Sequence, residues 1–180
     1  GVGEGAKAGI TSVALGKVAK AGGLSVAIGN GVAITGIQTV AIGNAAGAAG
    51  NQTVSIGNGV VVGGNQTVAI GNAIVSAGTE SVAIGDVANA GGAASIAIGN
   101  GAISADEFSI AIGNAVVNTA GASNVSIGNQ ITNTAGEGNI LIGDSVNNAS
   151  GGDNILLGNK ITNFGGIGNI VMGNRSAVAL

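Results

Sequence analysis

Short runs of alternating apolar residues recur along the whole chain, each closed by a glycine. The unit reads Ser, Thr or Asn, then Val or Ile, a third residue, Ile, Leu or Met, then Gly and usually Asn or Asp. It occupies residues 12–16, 25–29, 39–43, 53–57, 67–71, 81–85, 95–99, 109–113, 124–128, 139–143, 154–158 and 169–173. The motif glycines are 13 residues apart once, 14 apart six times and 15 apart four times. A period this short suits neither helix-pair nor leucine-rich repeats. It matches one turn of a narrow β-solenoid with two short strands.

The motif predicts the first strand of each turn. β-branched residues favour strand, and the period of two puts the second and fourth motif positions on one face. On polarity, Val40 and Ile42 are expected to point inward, with Thr39 and Ala41 outward. Gly43 permits a bend, and Asn44 suits the turn that follows it. A second, weaker strand starts three residues after each motif glycine. Its first apolar residues are Val32, Ala46, Val60, Ile74, Ala88, Ala102, Val116, Ile131, Val146 and Ile161. A second glycine, at Gly36, Gly50, Gly64, Gly78 and Gly92, then closes the turn.

The expected fold is therefore all-β: a parallel β-solenoid of about twelve turns forming one domain over residues 1–180. Turns of 14 residues run to about 113, and turns of 15 residues from about 114 to 174. Gly1–Gly9 and Arg175–Leu180 depart from the pattern. The longer turns differ in chemistry as well. Asn118, Asn133, Asn148 and Asn163 replace apolar residues in the second strand. Asn124, Asn139, Asn154 and Asn169 replace Ser or Thr at the motif start. At a strand spacing of about 4.8 Å, such amides are expected to form structural ladders along the axis.

Composition removes most chemistry. The chain has no His and no Cys, so Ser-His-Asp triads, cysteine nucleophiles and the usual zinc ligands are excluded. Five Lys and Arg and two Phe as the only aromatics argue against nucleic-acid binding. Glu80, Asp106, Glu107, Glu137 and Asp153 are spread over loops without metal-ligand spacing. No catalytic residue, cofactor, metal or small-molecule substrate is expected.

The third motif position forms an uncharged row: Ala27, Ala41, Ala69, Ala83, Ala97 and Ala111, extended by Leu141, Leu156 and Val171. Read as outward, this row is a candidate face for packing against other copies of the chain. A second possibility is end-to-end stacking into a filament. It would use the strand edges at Val13 and Leu15 and at Val178 and Leu180. Thr39, Thr53 and Thr67 form too short a row to support ice binding well.

The Ser-Val-Ala-Ile-Gly core at residues 25–29, repeated at 14-residue intervals, closely resembles the head repeats of trimeric autotransporter adhesins, the YadA-like heads. The resemblance covers roughly residues 12–174. It implies a left-handed parallel β-roll, three chains packed side by side, and extracellular display on a bacterial surface for attachment to host or matrix. It also implies that the small residues of the motif strand lie near the trimer axis. No neck, heptad or barrel segment is evident, as expected of an excised head or of a free-standing solenoid.

Overall fold

The computed structural model describes residues 1–178, which are arranged in strands with no helix. Two compact units are present, residues 1–88 and the residues from 89 onward. Each is built from parallel β-coils.

In the first unit, each full coil contributes a five-residue motif strand: Val26–Asn30, Val40–Asn44, Val54–Asn58, Val68–Asn72 and Val82–Asp86. Each strand pairs in parallel with its counterpart one coil on. Val40, Ala41, Ile42, Gly43 and Asn44 lie beside Val54, Ser55, Ile56, Gly57 and Asn58. The second strands, such as Gly47–Ala48 and Val61–Val62, stack in the same way. A step of one repeat thus carries each position onto its own equivalent. Alternation within a strand then becomes continuous rows along the stack.

The N-terminal stretch, which sequence alone places outside the pattern, is a further partial coil. Val2 bridges Leu15, and Lys7–Ala8 pairs with Lys20–Ala21. The edge of Val13–Leu15 is consequently occupied: Val2 N–H donates to the Ala14 carbonyl, and Gly16 N–H to that of Val2. Val13 and Leu15 are therefore not an open stacking edge, contrary to the sequence expectation. At the other end, Ala177–Val178 pairs with Thr162 and Asn163, while Leu180 lies outside the described residues.

In four successive coils of the second unit the two strands merge. Ile110–Asn118, Val125–Asn133, Ile140–Asn148 and Ile155–Asn163 run through the motif bend without losing register. The extra residue of the 15-residue coils lies in the other bend, between the second strand and the next motif.

The interior reverses the expected orientation of the motif strand. Ala27, Ala41, Ala69, Ala83, Ala97, Ala111, Leu141 and Leu156 are all 0% exposed. They belong to the inside of the coil, not to an outward packing face; Val171, near the end of the stack, is half-buried. The Val and Ile of the same strands, Val40 and Ile42 for example, face out and are half-exposed. The period of two correctly separates the two faces. It does not say which is inside, because both are largely apolar.

Volume and hydrogen bonding decide the choice. The second strand already fills the coil with buried branched residues such as Val32, Val60, Ile74, Val116 and Ile131. Opposite them there is room only for Ala or Ser in a 14-residue coil. The longer coils admit Leu141 and Leu156, which share a core with Val116, Ile131, Val146 and Ile161. The first motif position also points in, where its polar group meets the bend carbonyls that would otherwise lack a partner. Thr39 Oγ1 donates to the Gly50 carbonyl at 3.1 Å, and Thr67 Oγ1 to that of Gly78 at 2.9 Å. In the longer coils the reach is greater, and Asn replaces the hydroxyl. Asn139 Nδ2 donates to the Gly151 carbonyl at 3.1 Å, and Asn154 Nδ2 to that of Gly166 at 3.2 Å.

Candidate interaction surface

The inward-facing Ala and Leu leave the outward faces to other residues. On the motif side these are two parallel rows of branched apolar residues. In the first unit the rows hold Val26 with Ile28, Val40 with Ile42, Val54 with Ile56, Val68 with Ile70 and Val82 with Ile84. In the second unit the same two positions hold Val or Ile except at Leu157 and Met172, from Ile96 with Ile98 to Ile170 with Met172. No charged or hydrogen-bonding side chain interrupts either row. Exposure is moderate in the middle, 37% for Ile70 and 40% for Ile142, and reaches 70% at Ile170 and Met172. A ladder of β-branched residues at strand spacing, wet on one side only, is an apolar patch of the kind that marks a contact surface.

Beside these rows, after the motif glycine, runs an exposed amide ladder. Asn30 Nδ2 donates to Asn44 Oδ1 at 3.1 Å, Asn44 to Asn58 at 2.9 Å, and Asn58 to Asn72 at 3.0 Å. Asn72 then donates to Asp86 at 2.7 Å. A second ladder runs from Asn114 to Asn129 at 2.9 Å and on to Asp144 at 2.6 Å. A carboxylate accepts but does not donate, so Asp is compatible with the last rung, and both described ladders end on one.

The buried amides run in the opposite sense. Asn148 Nδ2 donates to Asn133 Oδ1 at 2.8 Å, and Asn163 Nδ2 to Asn148 Oδ1 at 2.7 Å. At the motif start, Asn139 Nδ2 donates to Asn124 Oδ1 and Asn154 Nδ2 to Asn139 Oδ1, both at 3.1 Å. The Asn169 backbone N–H donates to Asn154 Oδ1 at 2.9 Å. Asn118 stands apart: its Nδ2 donates to the Ile110 carbonyl at 2.8 Å, and its Oδ1 accepts from Ser126 Oγ at 2.6 Å. Asn133 Nδ2 is left buried without a partner as a result. These amides hold the longer coils together, and all but the half-buried Asn169 are shut off from solvent.

A shallow depression of about 390 Å³ lies over the second bends of the longer coils, lined by Gly121, Gly136, Glu137, Gly152, Asp153 and Ile167. Among the described residues no group of His, Cys, Asp or Glu is arranged to hold a metal ion. Sequence reasoning missed the Val and Ile rows as the exposed surface. The available signal was volumetric: Ala at the third position of every full 14-residue motif but one, with Leu there only in 15-residue coils.

Comparison with known proteins agrees with the repeat. The family model of the YadA head domain repeat (2 copies) matches residues 35–59, 76–102 and 90–115. Among solved structures, the collagen-binding domain of the Yersinia adhesin YadA is 28% identical, with 63% of this chain and 72% of that one covered and a TM-score of 0.39. No curated protein matches the chain. Residues 35–59 and 76–115 are thus similar to repeats of the YadA head type, in a chain that is stacked as a parallel β-solenoid.

Proposed function

We propose that the chain is a non-enzymatic adhesive module displayed on a bacterial cell surface, and that it works as an assembly of several copies. The family match supports surface adhesion. The observation that carries the assembly is the double row on the motif strands of each unit, mostly Val and Ile and half-exposed in every full coil. An isolated chain would leave this surface wet. A second copy presenting the same rows would cover it, with flat strand faces meeting and no charge to desolvate. Three copies around one axis is the number that the resemblance to adhesin heads implies. The axis would then be lined by Val and Ile, not by the Ala row. The remaining faces, carrying loops, amide ladders and the scattered charges, are left for attachment to host or matrix surfaces.

Two measurements test this reading. Light scattering coupled to gel filtration is expected to give a mass that is a multiple of the chain. The double variant Ile42→Glu, Ile70→Glu is expected to give a monomer that keeps its β circular dichroism. A wild-type monomer at high concentration would refute the assembly. For adhesion, beads coated with the protein are expected to be retained on a panel of matrix proteins that includes collagen. Retention no better than that of uncoated beads on every surface would refute the attachment role.

A further inference from the structure

The exposed amide ladder has a chemical consequence at three positions. Asn30, Asn58 and Asn100 are each followed by glycine, and these are the Asn–Gly steps of the chain. All three Asn side chains are exposed, and all three glycines share one backbone conformation, with φ of 66° at Gly31, 62° at Gly59 and 63° at Gly101. Glycine lacks the Cβ that would hinder its backbone nitrogen from approaching the preceding side chain. The three steps differ in what holds the amide. Asn30 Nδ2 is bonded to Asn44 and Asn58 Nδ2 to Asn72, and Asn58 Oδ1 also accepts from Asn44. In the second unit the ladder begins at Asn114, and among the described residues Asn100 takes no part in it.

We propose that Asn100 is a site of spontaneous deamidation and that the ladder protects Asn30 and Asn58 from the same reaction. The Gly101 nitrogen attacks Cγ of Asn100, and the new C–N bond closes a five-membered succinimide. The Cγ–Nδ2 bond breaks, and Nδ2 leaves as ammonia with the proton from the Gly101 nitrogen. Water then opens the ring at either carbonyl and yields aspartate or isoaspartate. The sum is amide plus water giving carboxylate plus ammonium, with no oxidant or cofactor. At Asn30 and Asn58 the amide must first leave its ladder partners, and the Gly31 and Gly59 N–H must leave the Lys17 and Asn44 carbonyls, each at 2.9 Å. One neutral hydrogen bond slows the step by about three- to tenfold. The product at residue 100 matters to the fold, since the Asn100 carbonyl accepts from the Ala115 N–H at 2.8 Å. Isoaspartate inserts a methylene into the backbone at that point and shifts the carbonyl.

The test is peptide mapping by mass spectrometry after incubation of the native protein in ¹⁸O-labelled water at mildly alkaline pH. Label is expected first at residue 100, with residue 30 slower by at least about three- to tenfold and residue 58, held by one ladder bond more, slower still. In denaturant the three are expected to react alike. The variant Asn72→Ala removes the acceptor of Asn58 and is expected to speed labelling at Asn58 while leaving Asn30 unchanged. Equal rates at the three steps in the native protein overturn the proposal. So does an unreactive Asn100 under conditions where the unfolded chain reacts, or an Asn58 that does not respond to Asn72→Ala.

Discussion

Leucine at the third motif position is expected to have opposite effects in the two kinds of coil. Ala69 is 0% exposed, with Ser55 and Ala83 in register on either side and Ile74 and Ser76, also 0% exposed, in the same coil. Ala69→Leu adds three carbon atoms to that space. Had they fitted, their burial would have gained about 0.8 kcal/mol each. Without room they force rotamers and backbone apart, and the variant is expected to lose about 1–3 kcal/mol. Leu141, in a 15-residue coil, is also 0% exposed and sits in the cluster with Val116, Ile131, Val146 and Leu156. Leu141→Ala is expected to lose about 2–5 kcal/mol through the cavity it leaves. Ala69→Ser, which copies the neighbouring Ser55, serves as the control with a loss below about 1 kcal/mol. Urea denaturation followed by far-ultraviolet circular dichroism measures all three. Protein concentration must be held fixed, because assembly would add to apparent stability. An Ala69→Leu protein as stable as the wild type would mean that this position faces solvent, and the corrected orientation of the motif strand would fall.

Three further substitutions probe other features. Gly57 has φ of 136°, and a Cβ there would meet the Gly71 carbonyl oxygen, so Gly57→Ala is expected to cost about 3 kcal/mol or more in the same denaturation assay. Asn148→Ala strips Asn133 Oδ1 of its donor and Asn163 Nδ2 of the nearer of its two acceptors, and is expected to cost about 2–4 kcal/mol, read as a lower denaturation midpoint. Ser126→Ala is expected to cost less than about 1 kcal/mol, because Asn118 Oδ1 becomes free to accept from the unpartnered Asn133 Nδ2. A loss as large as that of Asn148→Ala would show that Ser126 holds Asn118 for another reason.

The repeat by itself makes the architecture legible. Period, strand positions, both glycine bends and the parallel stacking all follow from the spacing of Gly16 to Gly173 and from β-branched residues around them. The sidedness of the motif strand did not follow. Thr39 is polar and Val40 apolar, and ordinary alternation would turn Thr39 to water. In this fold the bend brings the Gly50 carbonyl inside, and Thr39 is drawn in to meet it. Ala41 goes with it because residues two apart share a face. The error concerned a third partner, a backbone oxygen whose position no side-chain pattern reveals. The partial coil at Val2 and Lys7–Ala8 was hidden for a related reason. Backbone pairing holds it in place, and its side chains do not carry the motif.

The register of the first unit also bears on how such a chain changes over generations. Val40 lies beside Val54, and Val54 beside Val68, with every residue between them matched in the same way. Excising residues 54–67 would bring Val68 next to Val40 with each glycine, hydroxyl and amide again facing its own kind. Duplication of the segment would be accommodated equally well. Loss of a single residue from a motif strand has no such remedy, since it turns the apolar rows inward and the hydroxyls out. Length is accordingly the property most open to genetic drift, in whole-coil increments. Recombination between neighbouring copies could lengthen or shorten the protein while every coil kept the same surface.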